Sequence, residues 1–303
     1  MNKLLLFLLL LFSIPVFSQN IHGVVTDSVT HQALPYATVF YNQKKRFLYT
    51  DSAGRFTIPR DSLIHNDSLY VQFLGYKQLS VPVVQLKEEN VLRMIPQTET
   101  LEPVTVTNCR KLKNYILNKH AGIAKNYMGP GPETKIIIAG RYVAKKQRRG
   151  YVKQIRFYDE TFNGTVVVPV RLRWYEWNAA QQLPGKELTN KNIIVYTYKK
   201  GWNSFDIPDT SIYFPAEGIV FGLEFIYPVE FANQYKNLSS AKEKLQWLSD
   251  MNHRWSLGMQ LTRDEQQKGF YGVNNEPFQP YDERGKGYYI KPAIKFVVAH
   301  CVK

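Results

Sequence analysis

The chain has 303 residues, of which 44% are hydrophobic and 21% are charged, and its formal net charge is +14. This length favours two domains, and this composition excludes an intrinsically disordered chain. The 18 Gly, 16 Pro and 2 Cys also exclude a collagen-like chain and a disulfide-rich scaffold.

The N-terminus carries a short apolar segment. Lys3 precedes an apolar run over Leu4–Phe12, and Val16 and Ser18 fit the small-residue cleavage site of a signal peptide. The run is shorter than the roughly 20 apolar residues that a membrane-spanning helix needs. We therefore predict a signal peptide over residues 1–18, export to the periplasm or the outer-membrane surface, and no transmembrane segment in the mature chain.

Positive charge is concentrated in the second part of the chain. Residues 19–108 contain 8 Lys+Arg and 8 Asp+Glu, whereas residues 109–303 contain 30 and 17. The change predicts a domain boundary near Cys109. A basic exported domain favours an anionic envelope polymer or a glycan as its partner, and export argues against nucleic acid.

Residues 19–108 have the pattern of a small β-sandwich. Short β-branched and aromatic runs are separated by turn residues such as Asp51 and Gly54. The predicted strands are Ile21–Val25, Ala37–Tyr41, Phe56–Ile58, Leu69–Leu74, Leu79–Val84, Val91–Ile95 and Val104–Thr107. Many short strands at this spacing are typical of a sandwich.

Five segments of this region are specific in order and spacing: IHGVVTD, ALPYATVFY, TDSAGRFTIP, LYVQFLGYK and LEPVTVT, within Ile21–Thr107. They resemble the carboxypeptidase regulatory-like, transthyretin-like module of exported and outer-membrane proteins of Gram-negative bacteria. The resemblance implies a seven-strand Greek-key sandwich and a role as an interaction module.

Peptidase activity does not follow from that resemblance. A zinc carboxypeptidase holds its metal with two His and a Glu. The six histidines are His22, His31, His65, His120, His253 and His300, and none has a Glu at a metal-binding spacing. We therefore expect no catalytic residue, no metal and no other cofactor.

The segment between the two halves has apolar residues at a helical spacing. Leu112, Ile116, Leu117 and Ile123 alternate with basic residues in Arg110–Asn126. This pattern predicts a linking helix over residues 109–132, which either packs against a sandwich or lies on a membrane surface.

Residues 133–303 read as a second, larger sandwich. The predicted strands are Thr134–Val143, Tyr151–Tyr158, Val166–Trp177, Asn192–Tyr198, Asn203–Ile207, Ile219–Tyr227 and Tyr288–Val298. A single helix is predicted after Ser240, because Ser240 and Glu243 have the spacing of a capping box. About eight antiparallel strands over this length favour a jelly-roll sandwich and an all-β fold.

The C-terminal half also has a resemblance. The segments that carry it are Ile155–Phe157, Val170–Trp177, Pro184–Leu188, Trp202–Pro208, Ile212–Tyr227 and Pro292–Val298. They resemble an uncharacterised jelly-roll domain that follows regulatory-like modules, and the domain is similar to galactose-binding-like sandwiches that bind carbohydrate. The resemblance implies a fold rather than a particular ligand.

One predicted strand has an unusual polar face. Alternation places Val170, Leu172 and Trp174 on one side of the strand, where they face the core. The opposite side carries Arg171, Arg173, Tyr175 and Trp177. Aromatic rings and guanidinium groups suit a glycan or an anion, so these four are candidate ligand-binding residues. The alternative is that another part of the protein covers this face, with Arg stacked on Tyr.

A second candidate is a run of cations with no acidic residue between them. It consists of Arg141, Lys145, Lys146, Arg148, Arg149, Lys153 and Arg156. Arg148 to Gly150 are predicted to form the tip of a hairpin between two strands. Such a patch suits an anionic partner, and the alternative is a solvated hairpin.

The sequence as a whole favours a non-catalytic exported envelope protein. It would consist of an interaction module followed by a glycan-binding jelly roll, and unidentified envelope proteins would be its further partners. One alternative is a glycoside hydrolase that uses Glu176 and Glu224 as its two carboxylates. Another is a purely structural component of an outer-membrane assembly.

Cys109 and Cys301 flank the second domain, and they form a disulfide if its terminal strands lie side by side in an oxidising compartment.

Overall fold

The computed structural model describes residues 20–97, 111–128, 132, 134–144, 149–160, 169–207, 212–227, 229–249, 256–273, 276–283 and 288–302. The predicted signal peptide, the strand predicted at Val104–Thr107 and Cys109 lie outside these residues. Most of the described residues form β-strands, so the predicted all-β class is confirmed. Among the described helices, none is long and apolar enough to cross a membrane.

Seven strands form the N-terminal sandwich. They are β1 (Asn20–Asp27), β2 (Thr38–Tyr41), β3 (Arg46–Tyr49), β4 (Arg55–Pro59), β5 (Ser68–Gln72), β6 (Leu79–Pro82) and β7 (Glu89–Met94). One sheet has the order β4-β1-β7 and the other has the order β3-β2-β5-β6. Alternate residues of both sheets, such as Ile21 and Ile58 of the first and Val39 and Val71 of the second, form the buried core between them.

Fifteen strands and two helices follow. The strands are β8 (Lys111–Leu117), β9 (Lys125–Met128), β10 (Ile136–Tyr142), β11 (Gly150–Asp159), β12 (Pro169–Asn178), β13 (Leu183–Glu187), β14 (Ile193–Tyr196), β15 (Gly201–Asp206), β16 (Tyr213–Phe214), β17 (Ile219–Phe225), β18 (Ser256–Thr262), β19 (Gly269–Val273), β20 (Gln279–Glu283), β21 (Tyr288–Pro292) and β22 (Ile294–Val302). The helices are α1 (Val229–Lys236) and α2 (Ala241–Ser249).

These fifteen strands form one continuous sheet, in which eleven strands have the order β13-β12-β17-β10-β19-β20-β21-β18-β11-β22-β8. Of the other four, β14 pairs with β12, β15 and β16 pair with β11, and β9 pairs with β18. The sheet folds back on itself, so that β13, β12, β17, β10 and β19 form a first layer and β21, β18, β11, β22 and β8 form a second. Trp174 and Phe221 of the first layer lie with ring centroids 6.2 Å and 5.4 Å from that of Phe296 in the second. The core therefore lies between two layers of a sandwich, and a jelly-roll topology stays a prediction.

The predicted linking helix is wrong, because Lys111–Leu117 is the strand β8. Leu112 and Ile116 are 60% and 44% exposed on the same side of that strand. Residues four apart share a face in a strand as well as in a helix, so the apolar spacing did not separate the two. β8 pairs with β22, and the backbone hydrogen bonds of this ladder stabilise the segment as a strand rather than a helix.

The capping box of the predicted helix is confirmed at the start of α2. The Ser240 hydroxyl accepts the Glu243 N–H at 3.1 Å, and a Glu243 carboxylate oxygen accepts the Ser240 N–H at 3.0 Å. A second helix, α1, precedes it and was not predicted.

The β8–β22 pairing also bears on the cysteines. The ladder places Leu112 opposite Cys301, so the segment that follows Cys109 runs alongside the strand that contains Cys301. The disulfide itself stays a prediction. Intact-mass analysis of unreduced protein after alkylation tests it, and two alkylated thiols would exclude the bridge.

Candidate functional site

The outer face of the first layer is covered by the N-terminal sandwich. Phe40, Phe47 and Tyr49, on the outer side of the β3-β2-β5-β6 sheet, form a buried cluster with Ile226. We call the surface beneath them, which carries Lys135, Arg171, Arg173, Tyr175 and Glu224, the covered face. Burial by a separate region of the chain is the second of the two interpretations that the polar face of β12 allowed.

Glu224 is the centre of the covered face. Its side chain is fully buried, and its two oxygens accept hydrogen bonds from Arg171 Nη1 at 2.7 Å and Arg173 Nη1 at 2.8 Å. The Tyr49 hydroxyl donates to Oε1 at 3.0 Å. Burial alone would raise the pKa of this carboxyl, but Arg171, Lys135 and Arg173 together hold it well below its ordinary value. Glu224 is therefore a buried anion at neutral pH, and through Tyr49 it links the two sandwiches.

Each of the two arginines makes three hydrogen bonds to protein groups. Arg171 also donates from Nε to Asn192 Oδ1 at 2.7 Å and from Nη2 to the Tyr36 carbonyl oxygen in the N-terminal sandwich. Arg173 donates from Nε and Nη2 to the two oxygens of Glu187, both at 2.6 Å. Burial raises the pKa of Glu187 even though Arg173 opposes that shift. Both guanidinium groups act on protein carboxylates in this arrangement.

Lys135, which directly precedes β10, completes the network. Its side chain is 6% exposed, and Nζ lies 3.9 Å from Glu224 Oε1 and 5.4 Å from the centroid of the Phe40 ring. Burial lowers the pKa of Lys135 to about 8, against the opposing effect of Glu224. The charge of Lys135 therefore changes closer to neutral pH than that of an ordinary lysine.

A cleft opens between the two sandwiches at the edge of this network. Its cavity volume is about 390 Å3. The N-terminal sandwich contributes Thr38, Gln72, Phe73, Leu74, Gly75, Tyr76, Gln78 and Gln97, and the C-terminal sandwich contributes Lys135, Ile137, Arg171, Arg173, Lys186, Glu187, Thr189 and Asn190. A second cavity of about 200 Å3 shares Lys135, Ile137 and Arg173 as walls.

The four predicted ligand-binding residues do not lie in one site. Arg171 and Arg173 line the cleft, whereas Tyr175 is buried against Phe278 with ring centroids 5.2 Å apart. Trp177 lies further along β12, where the Arg141 guanidinium is 4.0 Å from its ring centroid. Whether any of the four contacts a ligand stays a prediction.

The predicted basic patch is wrong as a single surface. Strand β10 pairs with β17 and β19, and β11 pairs with β15, β16, β18 and β22, so no hairpin joins β10 to β11. The two strands lie in opposite layers, which places Arg141 and Arg156 on opposite outer faces. Arg149 is exposed and Lys153 is half-buried. Lys145, Lys146 and Arg148 lie outside the described residues.

The carboxylate pair of the hydrolase alternative is also wrong. Glu176 shares the side of β12 that carries Trp174, whereas Glu224 lies opposite Arg171 on the outer side of the sheet. Two carboxylates on opposite faces of one sheet cannot flank a single glycosidic bond. In the described part of the chain, no group of three or more His, Cys, Asp or Glu is placed to hold a metal ion.

Sequence reasoning missed Lys135, Lys186 and Glu187. A lysine that alternates with buried isoleucines, as Lys135 does before Ile136 and Ile138, has the pattern of a solvent-facing strand residue. Nothing local distinguishes it from a lysine that a second sandwich covers.

Comparisons with known proteins agree with the N-terminal prediction. No curated protein matches the chain. Two solved structures resemble it weakly. One contains the cysteine protease and lectin-like domains of a surface layer associated protein of Clostridium difficile, with 10% identity and a TM-score of 0.36. The other is that of infectious bursal disease virus, with 11% identity and a TM-score of 0.23. Each likeness covers 88% of this chain, which spans 59% and 55% of those chains. Residues 21–106 match the family model of the CarboxypepD_reg-like domain, so the predicted regulatory-like resemblance is confirmed for this region.

Proposed function

We propose that this protein is a non-catalytic, exported envelope protein that binds a glycan in the cleft between its two sandwiches. The main observation that supports the proposal is the cleft itself. Its volume of about 390 Å3 is within the usual range of ligand sites, which is roughly 300–1,000 Å3. Export rests on the predicted signal peptide, and the CarboxypepD_reg-like match of residues 21–106 supports an interaction role for the first sandwich.

The chemistry of the cleft walls suits sugars. Gln72, Gln78, Gln97 and Asn190 bring side-chain amides, which both donate and accept hydrogen bonds as sugar hydroxyls require. Phe73 adds an aromatic ring at the same wall. The cleft therefore combines a concave surface, polar groups that can orient a ligand and an aromatic ring that can pack against it.

A steric variant tests the proposal without changing the charge of the cleft. Gln78 is exposed and lines the cleft, whereas Gln85 is exposed and does not line it. Gln78→Trp should abolish binding to an array of envelope oligosaccharides, and Gln85→Trp should bind like the unmodified protein. Equal binding by the two variants would place the ligand elsewhere, and no binding by the unmodified protein would contradict the proposal.

A purely structural role is the second candidate. The observation that favours it is that Arg171 and Arg173 are engaged by Glu187 and Glu224, as in an interface built for stability. A protein of this kind would bind no member of the array but would still lose stability when Glu224 is changed. The oligosaccharide array and an unfolding measurement together separate the two candidates.

A further inference from the structure

A separate cavity of about 370 Å3 lies near the C-terminal end of β12. Its lining residues are Arg141 of β10, Trp177 of β12, Ala179 and Gln182 between β12 and β13, and Glu265 and Lys268 before β19. All six belong to the C-terminal sandwich, and none of them lines the cleft or the smaller cavity beside it. The described walls of this cavity therefore do not depend on the docking of the two sandwiches.

Arg141 has more hydrogen-bond donors than protein acceptors. A guanidinium group carries five N–H donors. In the part of the chain that the structure describes, the Arg141 side chain makes a single hydrogen bond, from Nη2 to the Glu217 carbonyl oxygen at 3.3 Å, and its Nε is buried without a partner. By contrast, Arg171 and Arg173 each make three hydrogen bonds to protein groups. A donor that lacks an acceptor is costly, so an acceptor that enters this cavity gains a favourable partner in Arg141.

The indole ring of Trp177 supports the guanidinium of Arg141. The Arg141 Cζ lies 4.0 Å from the ring centroid, which is a cation–π distance. Trp177 in turn packs against Phe270, with ring centroids 5.9 Å apart. A planar guanidinium that rests on a packed ring is already ordered, which lowers the entropy cost of binding a planar acceptor.

We propose that this cavity is a second ligand site, in which Arg141 binds the carboxylate of a small organic acid. A carboxylate is the planar group whose two oxygens match two N–H groups of a guanidinium. Gln182 is exposed at the same cavity, where its amide can donate to and accept from polar groups on the body of the acid. The cavity volume is within the usual range of small-molecule sites, roughly 300–1,000 Å3. This site is independent of the glycan cleft.

Lys268 and Glu265, which also line the cavity, balance each other. Lys268 is 8% exposed, and its Nζ lies 4.0 Å from Oε1 of Glu265. Because these two charges form an ion pair, we assign the contact with the acid to Arg141 alone. Asp264 attracts Arg141 electrostatically, but it is not one of the lining residues of the cavity.

Nuclear magnetic resonance of the indole N–H groups tests this inference at the site itself. The chain has five Trp, so Trp177 contributes one of five indole signals, and Trp177→Phe identifies it. The probes are D-galacturonate, a sugar acid, and N-acetylalanine, an amino-acid derivative, each compared with its neutral amide. At least one acid should shift the Trp177 signal in a saturable way and bind at least about tenfold more tightly than its amide. The acid that binds more tightly identifies the source of the carboxylate.

Two neighbouring alanines provide a matched pair of steric variants. Both are exposed, but Ala179 lines the cavity and Ala180 does not. Ala179→Phe should weaken binding of the acid at least about tenfold, because the larger side chain occupies the cavity, and Ala180→Phe should bind like unmodified protein. Arg141→Lys keeps the charge but removes the planar fork, so it should weaken binding of the acid by about tenfold.

Three results would overturn the inference. They are no saturable shift of the Trp177 signal with either acid, equal affinities for acids and amides, and equal binding by Ala179→Phe and Ala180→Phe. The cleft variant Gln78→Trp separates this site from the glycan site, because it should leave binding of the acid unchanged. Loss of acid binding in Gln78→Trp would place the acid in the cleft and would also overturn the inference.

Discussion

The two outer faces of the C-terminal sandwich carry similar residues in different surroundings. On the covered face, Arg173 is 16% exposed and makes three hydrogen bonds to Glu187 and Glu224. The opposite face, which we call the open face, carries Gln154, Arg156, Trp202, Asp206 and Lys295. There Arg156 donates from Nε to the amide oxygen of Gln154 at 2.8 Å, a neutral acceptor rather than a carboxylate. Lys295 Nζ lies 3.9 Å from the Trp202 ring centroid.

The difference shows how the surroundings set the role of an arginine or a lysine. In water, an ion pair gains little, because solvent screens it and holding two long side chains in place costs entropy. Under the N-terminal sandwich, charges have lost their water, so each depends on its protein partner. The same residue types are therefore close to dispensable on the open face and mutually dependent on the covered face.

Removal of one charge from each face should give the largest difference in stability between the two faces. Glu224→Gln leaves Lys135, Arg171 and Arg173 buried around a neutral side chain, and it should lower the free energy of unfolding by about 3–5 kcal/mol. Asp206→Asn is the matched control on the open face, where its carboxylate accepts a bond from Gln154 at 2.8 Å. It should change stability by no more than about 0.5 kcal/mol. Urea unfolding of both variants measures this, and equal losses would contradict the distinction between the faces.

The pH dependence of the same variants adds a second test. The folded-state pKa of Glu224 is lower than its unfolded value, so the unfolded state binds more protons as the pH falls below about 4.3. The contribution of Glu224 is therefore complete above that pH and is lost in acid. Unmodified protein should lose stability more steeply than Glu224→Gln between pH 5 and pH 3, and parallel curves would contradict the shift.

Two lysines that lie over aromatic rings give a smaller effect. Lys291 is fully buried, with Nζ 4.3 Å from the Tyr142 ring centroid and 2.9 Å from Gln267 Oε1. Burial lowers its pKa to about 7, whereas Lys295 on the open face is partly exposed, and burial and Arg156 lower its pKa as well. Between the pKa of Lys291 and the ordinary lysine value near 10.4, the unfolded state binds more protons, so stability rises with pH.

Unmodified protein should gain stability between pH 7 and pH 9, and the Lys291→Met variant should gain about 2 kcal/mol less over the same range. The slope that remains belongs in part to Lys135, whose pKa is about 8. Lys295→Met should reduce the slope less than Lys291→Met does, because Lys295 is only partly buried. Chemical unfolding at several pH values measures it, and an identical slope in Lys291→Met would mean that the buried lysine keeps an ordinary pKa.

Local pattern was enough to predict the core side of the C-terminal sandwich. The alternation of Val170, Leu172 and Trp174 matches their complete burial, and the segments around β10, β11 and β17 were found in the same way. The strands β18, β19 and β20 were missed. Their sequences are interrupted by Gly258, Gly272 and Pro280, which weaken a strand pattern.

The candidate site could be predicted only in part. Arg171 and Arg173 were identified from the polar face of β12, but their partners were not. Tyr49 and Glu224 are 175 residues apart, and Tyr36 and Arg171 are 135 apart. The cleft exists because two sandwiches dock, and no periodicity within one strand contains that information.

The smallest predicted effect lies at the contact between the sandwiches. Gly75 has φ +83°, and an added Cβ would lie 2.3 Å from the backbone oxygen of Asn190 in the opposite wall of the cleft. Gly75→Ala must strain its own backbone and push the two walls apart, so it should lower stability by about 1–2 kcal/mol. Gly122→Ala is the matched control, because an added Cβ there meets no atom within 4 Å and φ is not left-handed. Thermal unfolding of both variants, with hydrogen exchange of the Gly75 and Asn190 segments, measures the effect. If Gly75→Ala behaved like Gly122→Ala, the walls of the cleft would be free to move apart, and the contact would not fix the width of the cleft.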